Sequence, residues 1–499
     1  MTVDTSYRVL PARLAGEHSP AQLRRMQPWL DRTRPPSYPC RWILTLGCLF
    51  VIELTGGAPA ASQASAKPTV AEIVDSIAAA AVGSGQIAGL SVAIARGTEA
   101  MVFRGYGWSD VEHRIPTPPD AVYEIGSITK QFTAAAILLL QEQGRLSIDD
   151  LVTDHLPQFP TRGRAVSLRH LLSHTSGIPD FTALPDFSAL ATRGAPLDSI
   201  VALVEDQPLL FVPGQAMAYS NSGYILLGRI IESASGVRYA DFIEAQLFVP
   251  AGMLDSSYCD AAGLPASRTV GHRLLNRILL PTESLDHTWP YAAGSLCSTA
   301  ADLIAWNRAL HGGRLLSPES YEILTDPGEL EDGTRLRYAA GLIVDSIGNR
   351  PVYRHGGSIP GFRAELLYFP EDGLSIAILL NTDGSISPLG LGEDLSARIH
   401  GATDGGRQVD YPLRRPAVDY VGEYRGVGRD GTRSVYVGAT SPDRLVLRRE
   451  DDQVRPLRPV GPDVFRAGRT WMTFNREADE IVSVRFDEIG ENSILTRVR

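Results

Sequence analysis

The stretch Tyr123-Glu-Ile-Gly-Ser127-Ile-Thr-Lys130, running on into Thr133-Ala-Ala-Ala-Ile-Leu-Leu-Leu140, decides how this chain is read. Its second half is apolar all round, the mark of a helix buried on every side, with Gly144 as the expected stop. Its first half sets a serine and a lysine at i and i+3 at the head of that helix, so hydroxyl and amine share one face. The chain holds 47 Lys and Arg, yet only Lys67 and Lys130 are lysines. Arginine stays protonated in proteins, whereas a desolvated lysine can lose its proton and serve as a base. A serine hydroxyl is a weak nucleophile until such a base takes its proton. The partial positive charge at a helix start would help hold an oxyanion beside the serine. By itself the pair also fits an N-cap serine followed by a solvated lysine.

Around this helix the pattern is mixed. Val70–Val82 has apolar residues at helical spacing, and residues 89–95 and 101–107 read as strands joined by a turn at Arg96-Gly-Thr-Glu. Residues 125–330 are helical in texture, with further helices expected at Arg169–Leu172, Ser199–Glu205, Ser222–Ser235 and Thr299–Leu310. Strands return at 351–354, 363–369 and 374–380. The order fits a sheet built from both ends of a segment, with a helical insertion between them. Residues 401–417, rich in Gly, Asp, Arg and Pro, read as a linker. Beyond it, 418–499 carries short β runs at 434–437, 445–448, 471–474, 481–486 and 494–498, the texture of a small all-β domain.

The 499 residues, 44% apolar, suffice for two or three domains. Net charge is −10, and residues 1–66 hold seven Arg against four Asp or Glu, which leaves the remainder at −13. With no basic run of five or more, a nucleic-acid or anionic-membrane partner is not expected. Residues 1–66 read as a leader. Five arginines from Arg24 to Arg41 precede the apolar core Trp42–Ile52, and small residues follow to Ala64-Ser65-Ala66. That is the layout of a secretory signal peptide, so the expected location is periplasmic or secreted; an uncleaved segment would instead anchor the chain to a membrane. Cys259 and Cys297 are the two cysteines beyond the leader, and a disulfide or two buried thiols fits equally.

Further motifs follow the serine and lysine. Phe211-Val-Pro-Gly-Gln-Ala-Met-Ala-Tyr219-Ser220-Asn221 leads into a helical run, and His355-Gly356-Gly357-Ser358 opens the late strands. Between them stand Leu168-Arg-His-Leu-Leu-Ser-His-Thr-Ser-Gly177 and Tyr291-Ala-Ala-Gly-Ser-Leu-Cys-Ser-Thr-Ala-Ala-Asp302. From about residue 70 to 400 the chain resembles the serine β-lactamase and penicillin-binding protein superfamily. Within it the likeness is to the branch of class C β-lactamases, D-alanyl-D-alanine carboxypeptidases and esterases. The resemblance implies an α/β (α+β) β-lactamase-like domain over 67–400, an antiparallel sheet flanked by helices, followed by a lipocalin-like β barrel. It implies a serine hydrolase working through an acyl-enzyme on a small ester, D-amino-acid peptide or β-lactam-like amide, with no metal or cofactor.

By the same resemblance Ser127 is the nucleophile and Lys130 its base or proton relay. Tyr219 passes a proton to the leaving group, Asn221 orients the substrate, and the backbone N–H groups of Ser127 and Ser358 form the oxyanion hole. Whether Lys130 or Tyr219 is the base stays open. A phenol in that role is expected to have its pKa lowered by Lys130 and His355. The family's Lys-Thr-Gly triplet reads His355-Gly356-Gly357 here, which loses a hydroxyl and a fixed cation for binding a substrate carboxylate. A general ester or peptide hydrolase is therefore favoured over a dedicated class C β-lactamase. The rival of another class is a slowly acylating or non-catalytic penicillin-binding sensor.

Other residues have plainer readings. His170 and His174 share metal-ligand spacing but lack the accompanying Glu, so no metal is expected. Glu124 reads as a structural acceptor, and Thr403–Gly406 as linker. Tyr224 and Phe362 fit either the cleft or the core.

Overall fold

Strands from the two ends of the segment 67–400 pair directly in the computed structural model. Gly89–Arg96 lies antiparallel to Leu374–Leu380, with Leu90 opposite Leu380 and Ile94 opposite Ile376. The structure describes residues 67–184, 187–259, 267–283, 285–401, 411–449 and 453–498. The leader, its cleavage site, Thr403–Gly406 and most of the expected linker lie outside the described residues.

The sheet has seven strands in the order Ile343–Ile347, Arg350–Ile359, Phe362–Phe369, Leu374–Leu380, Gly89–Arg96, Glu99–Asp110 and Ile115–Pro116. Side chains alternate across it as strand geometry requires. Leu90, Val92, Ile94, Ile376 and Ile378 pack with Ile73, Val74, Ile77 and Leu395 of helices Val70–Gly83 and Pro388–Ile399. Ala93, Ala95, Ala377 and Leu379 face the helical insertion on the other side. Covered on both faces, Leu374–Leu380 is buried at every position, which explains its unbroken apolar run. The small residues on the insertion side let helix Thr129–Glu142 come close. That helix buries eleven of its 14 residues, and Phe132 stacks on Trp306 with ring centres 3.9 Å apart. Gly144, at φ 67°, follows its end.

The C-terminal region is a closed barrel of eight antiparallel strands, Gly422–Gly428 through Glu491–Arg497. Closure comes from Tyr424 opposite Arg497 and Gly426 opposite Leu495. Tyr420, Tyr424, Phe465 and Phe474 fill it edge to face. Three of the barrel strands went unread in the sequence: Gly422–Gly428, Val454–Gly461 and Val464–Ala467. The first carries three glycines and the second Pro456, Pro459 and Gly461, residues that weaken a strand signal. Barrel closure holds them in place regardless.

The barrel and the segment before it share backbone hydrogen bonding. The short strand Met217–Ala218 extends the barrel sheet by pairing with Glu491 and Asn492. Arg337 bonds Asp487 at 2.9 Å and Arg469 bonds Asp345 at 3.1 Å across the same junction. Cys259 and Cys297 form a disulfide, beside the pairing of Cys297 with Glu124. Among the described residues no helix is long and apolar enough to cross a membrane.

Candidate active site

Ser127 stands in a single 3-10 turn, Gly126–Ile128, just ahead of helix Thr129–Glu142. No side chain caps either element, so the Ser127 hydroxyl is free of the N-cap role that its position allowed. Lys130, one helical turn on, is fully buried. Its Nζ donates to Ser127 Oγ at 3.1 Å, Asn221 Oδ1 at 2.8 Å and the Ala293 carbonyl at 2.7 Å. Burial pushes its pKa well below the usual lysine value; the Asp180 carboxylate opposes that shift and Arg429 adds to it. A largely desolvated amine within hydrogen-bond reach of a hydroxyl is equipped to take its proton at neutral pH.

The chain closes around this pair from four directions. The Tyr291–Gly294 segment brings the carbonyl that holds Lys130, and Tyr291 itself sits at φ 37°. Helix Asn221–Ser235 begins at Asn221, with Ser220 capping it through Gly223 N at 3.3 Å. Tyr219 comes just before, its ring centre 4.7 Å from Lys130 Nζ. The fourth direction is strand Arg350–Ile359, whose His355, Gly357 and Ser358 line the same cleft.

That strand approaches Ser127 so closely that glycine is required twice. A Cβ on Gly357 would stand 1.9 Å from the Ile125 carbonyl oxygen and 3.4 Å from Ser127 N. A Cβ on Gly126, which has φ 51°, would meet Ser358 N at 2.9 Å. The backbone nitrogens of Ser127 and Ser358 are thereby brought to the same corner.

Two electrostatic expectations are corrected. The Tyr219 pKa is raised, not lowered: packing of its ring against His174 and Tyr338 desolvates the phenol, which outweighs the lowering influence of the Ser127 hydroxyl and of the Arg429 charge. His355 contributes no cation, because burial, with Lys130 charge second, pushes its pKa down to about 3. Tyr224 and Phe362 belong to the core: both are buried, and Tyr224 donates to the Leu172 carbonyl at 2.8 Å. Glu124 is buried and holds Arg268 at 2.8 Å. His170 Nδ1 accepts from Ser167 N and His174 Nδ1 from Ser220 N, so both rings serve the backbone. Among the described residues no group of three or more His, Cys, Asp or Glu is arranged to hold a metal.

Several residues at the site went unread. Asp180 is buried and accepts from Asn221 Nδ2 at 3.2 Å. It lies three residues past the Ser176-Gly177 phrase, the one signal that pointed to it. Tyr338 meets His355, and Arg429 arrives from the barrel; nothing local in their segments marks either. Tyr338 and Arg429 line, with Ser127, Tyr219, Asn221 and His355, a cleft of about 1260 Å³.

The chain matches the Beta-lactamase family over residues 74–399 and belongs to it. It is 29% identical to penicillin-binding protein 4* of Bacillus subtilis over 59% of this chain and 68% of that protein. The chain spans about two thirds of the length of the curated relatives it matches, 68% and 64% in two cases. Among solved structures it is similar to an octameric penicillin-binding protein homologue from Pyrococcus abyssi. There the identity is 26% and the TM-score 0.60, over 85% of this chain and all of that one. A D-stereospecific amidohydrolase from a Streptomyces species is 25% identical with a TM-score of 0.57, over 67% of this chain and all of that one. Fold and family together are those of serine hydrolases related to β-lactamases and penicillin-binding proteins.

Proposed function

We propose that this protein hydrolyses small esters or D-amino-acid amides through an acyl-enzyme on Ser127. The observation that carries the reading is Lys130 Nζ, buried, with a lowered pKa, and 3.1 Å from Ser127 Oγ. Ser127 Oγ attacks the carbonyl carbon and its proton moves to the Lys130 amine. The backbone N–H groups of Ser127 and Ser358 hold the oxyanion. The leaving group departs with a proton from the Tyr219 hydroxyl, which Lys130 resupplies, and water then hydrolyses the ester on Ser127. A raised phenol pKa suits Tyr219 to carrying a proton, which favours Lys130 as the base. Asn221, held by Asp180 and Lys130, would take the substrate amide or ester.

The substrate follows from what lines the cleft. His355 is neutral, and Arg354, Arg363, Arg429 and Arg433 are each already paired with a carboxylate, which leaves the exposed Arg273 as the cation of the lining without such a pair among the described residues. A substrate needing a strong carboxylate receptor, as a β-lactam or a terminal D-alanine does, finds less here than an uncharged ester or amide. The likeness to a D-stereospecific amidohydrolase supports a D-configured acyl donor. Export is part of the same proposal, resting on the leader pattern of residues 1–66.

The test is turnover of a nitrophenyl ester, a D-amino-acid amide and a chromogenic cephalosporin by the protein and its Ser127→Ala variant. Turnover of the first two, lost in the variant and accompanied by an acyl adduct on Ser127, is expected to exceed that of the cephalosporin. Absence of any Ser127-dependent turnover or adduct would leave a binding or sensing role instead.

A further inference from the structure

The barrel reaches into the catalytic cleft through the turn between its strands Gly422–Gly428 and Gly431–Ser441. Arg429 in that turn donates through Nε to Asp180 Oδ2 at 3.0 Å, and its Nη2 reaches the same oxygen. Its guanidinium carbon stands 5.0 Å from the Tyr219 ring centre. The Asp180 carboxylate also accepts from Asn221 N at 3.3 Å and from Asn221 Nδ2 at 3.3 and 3.2 Å. A carboxamide has one donating end and one accepting end. With its donating end on Asp180, Asn221 turns its oxygen to Lys130 Nζ. Four charged or amide groups therefore stand in series: Arg429, Asp180, Asn221 and Lys130.

The turn is itself anchored. Glu491, buried, accepts from Arg433 Nη2 at 2.7 Å and from Arg429 N at 3.4 Å. One residue earlier, the Gly490 carbonyl accepts from Tyr219 N at 2.8 Å. The barrel thus touches the Tyr219–Asn221 motif twice, once through backbone and once through charge.

We propose that the barrel is a working part of the catalytic site, with Arg429 a positioning residue that acts through Asp180 to aim Asn221 at Lys130. The inference rests on the Ser127 hydrolase reading. Without Arg429, Asp180 would be a buried carboxylate with no cationic partner, beside a lysine that must lose its proton. The groups facing Lys130 are Ser127, Asn221, Tyr219, Tyr224, the neutral His174 and His355, and the pair Asp180 and Arg429. Of the last two, the carboxylate favours the ammonium form and the guanidinium the free amine. Loss of Arg429 therefore moves the acid limb of Ser127 reactivity to higher pH, and loss of the Asp180 charge moves it to lower pH.

The experiment measures the rate of Ser127 labelling by a fluorophosphonate across pH, which needs an activated serine but no natural substrate. The full chain is compared with Arg429→Ala, Arg429→Lys, Asp180→Asn, Ser127→Ala and, as a control on the exposed barrel face, Arg448→Ala. Arg429→Ala should label about 10- to 100-fold more slowly, the range for removing a supporting partner, with its acid limb raised. Asp180→Asn should also be slow, with the limb lowered, while Arg429→Lys keeps the limb and part of the rate. Arg448→Ala should match the parent.

Labelling of Arg429→Ala at the parent rate and with an unmoved limb would sink the positioning role, while the Ser127 reading would stand on the silent Ser127→Ala variant. Slower labelling of Arg429→Ala with the limb unmoved would separate Arg429 from Lys130 and equally overturn the proposal. If the parent itself fails to label, the hydrolase reading falls and this inference with it. Should Arg429→Ala fail to fold, the lowered limb of Asp180→Asn against the kept limb of Arg429→Lys decides the matter, and an unmoved limb in Asp180→Asn would overturn the proposal.

Discussion

The Tyr338 hydroxyl lies 3.0 Å from His355 Nε2, while His355 Nδ1 lies 2.6 Å from the Gly356 carbonyl oxygen. A carbonyl only accepts, so Nδ1 carries a proton. Burial, with the nearby lysine second, pushes the pKa down to about 3 and so keeps a second proton off Nε2, which then accepts from the Tyr338 hydroxyl.

This neutrality makes stability depend on pH. In the unfolded chain the imidazole takes a proton near pH 6.5, which the folded state refuses until about pH 3. The unfolded state then binds more protons, so stability present above pH 6.5 is lost as pH falls toward 3, by roughly 1.4 kcal/mol per pH unit. His355→Gln should flatten the fall in melting temperature between pH 6 and pH 4. An unchanged slope would mean that His355 is charged in the folded protein.

Lys130→Arg keeps the cation and removes the base. Hydrolysis of a nitrophenyl ester should drop by roughly 10²–10⁴-fold in kcat/KM. In the parent, the acid limb of the rate profile should lie well below the usual lysine pKa of 10.5, since the free amine is the active form. Near-normal rates for the arginine variant would reduce Lys130 to an electrostatic anchor.

Gly357→Ala places a methyl group 1.9 Å from the Ile125 carbonyl oxygen, on two backbones that have little room to part. The expected cost is about 1–3 kcal/mol of stability, with loss of Ser127 labelling out of proportion to the change in fold. Circular dichroism, melting and labelling rate together check this. A variant labelling at the parent rate would mean that the strand and the nucleophile turn separate easily.

Reduction, or the double substitution Cys259→Ala with Cys297→Ala, should lower stability by about 2–4 kcal/mol, because the bridge closes a loop of 38 residues in the unfolded chain. Cys297 pairs with Glu124, three residues before the nucleophile, so activity near the melting range should fall in parallel. Thermal denaturation with and without reductant measures it; equal midpoints would exclude a stabilising bridge.

Legibility in the sequence followed the range of the interaction. The helix Thr129–Glu142 and the strand Leu374–Leu380 were readable because burial on all sides writes itself as an unbroken apolar run. The barrel was readable as β but not strand by strand, since its proline- and glycine-bearing strands are held by closure and not by propensity. The Tyr219 phenol was misjudged because proximity to a cation was visible and the desolvating rings of His174 and Tyr338 were not.

By itself the sequence determined that Ser127 and Lys130 share a face, because one helical turn sets that by bond geometry alone. It also indicated which segments would join them, through motifs each only a few residues long. Only the tertiary structure decided the state of those groups. Lys130 is a desolvated amine because the Ala293 carbonyl, Asn221 and the surrounding aromatic rings close around it. Asn221 faces it because Asp180 and Arg429, 249 residues apart in the chain, meet at its other end. Protonation and orientation depend on the surrounding charges and on exclusion of water, and both are set by segments that meet only on folding.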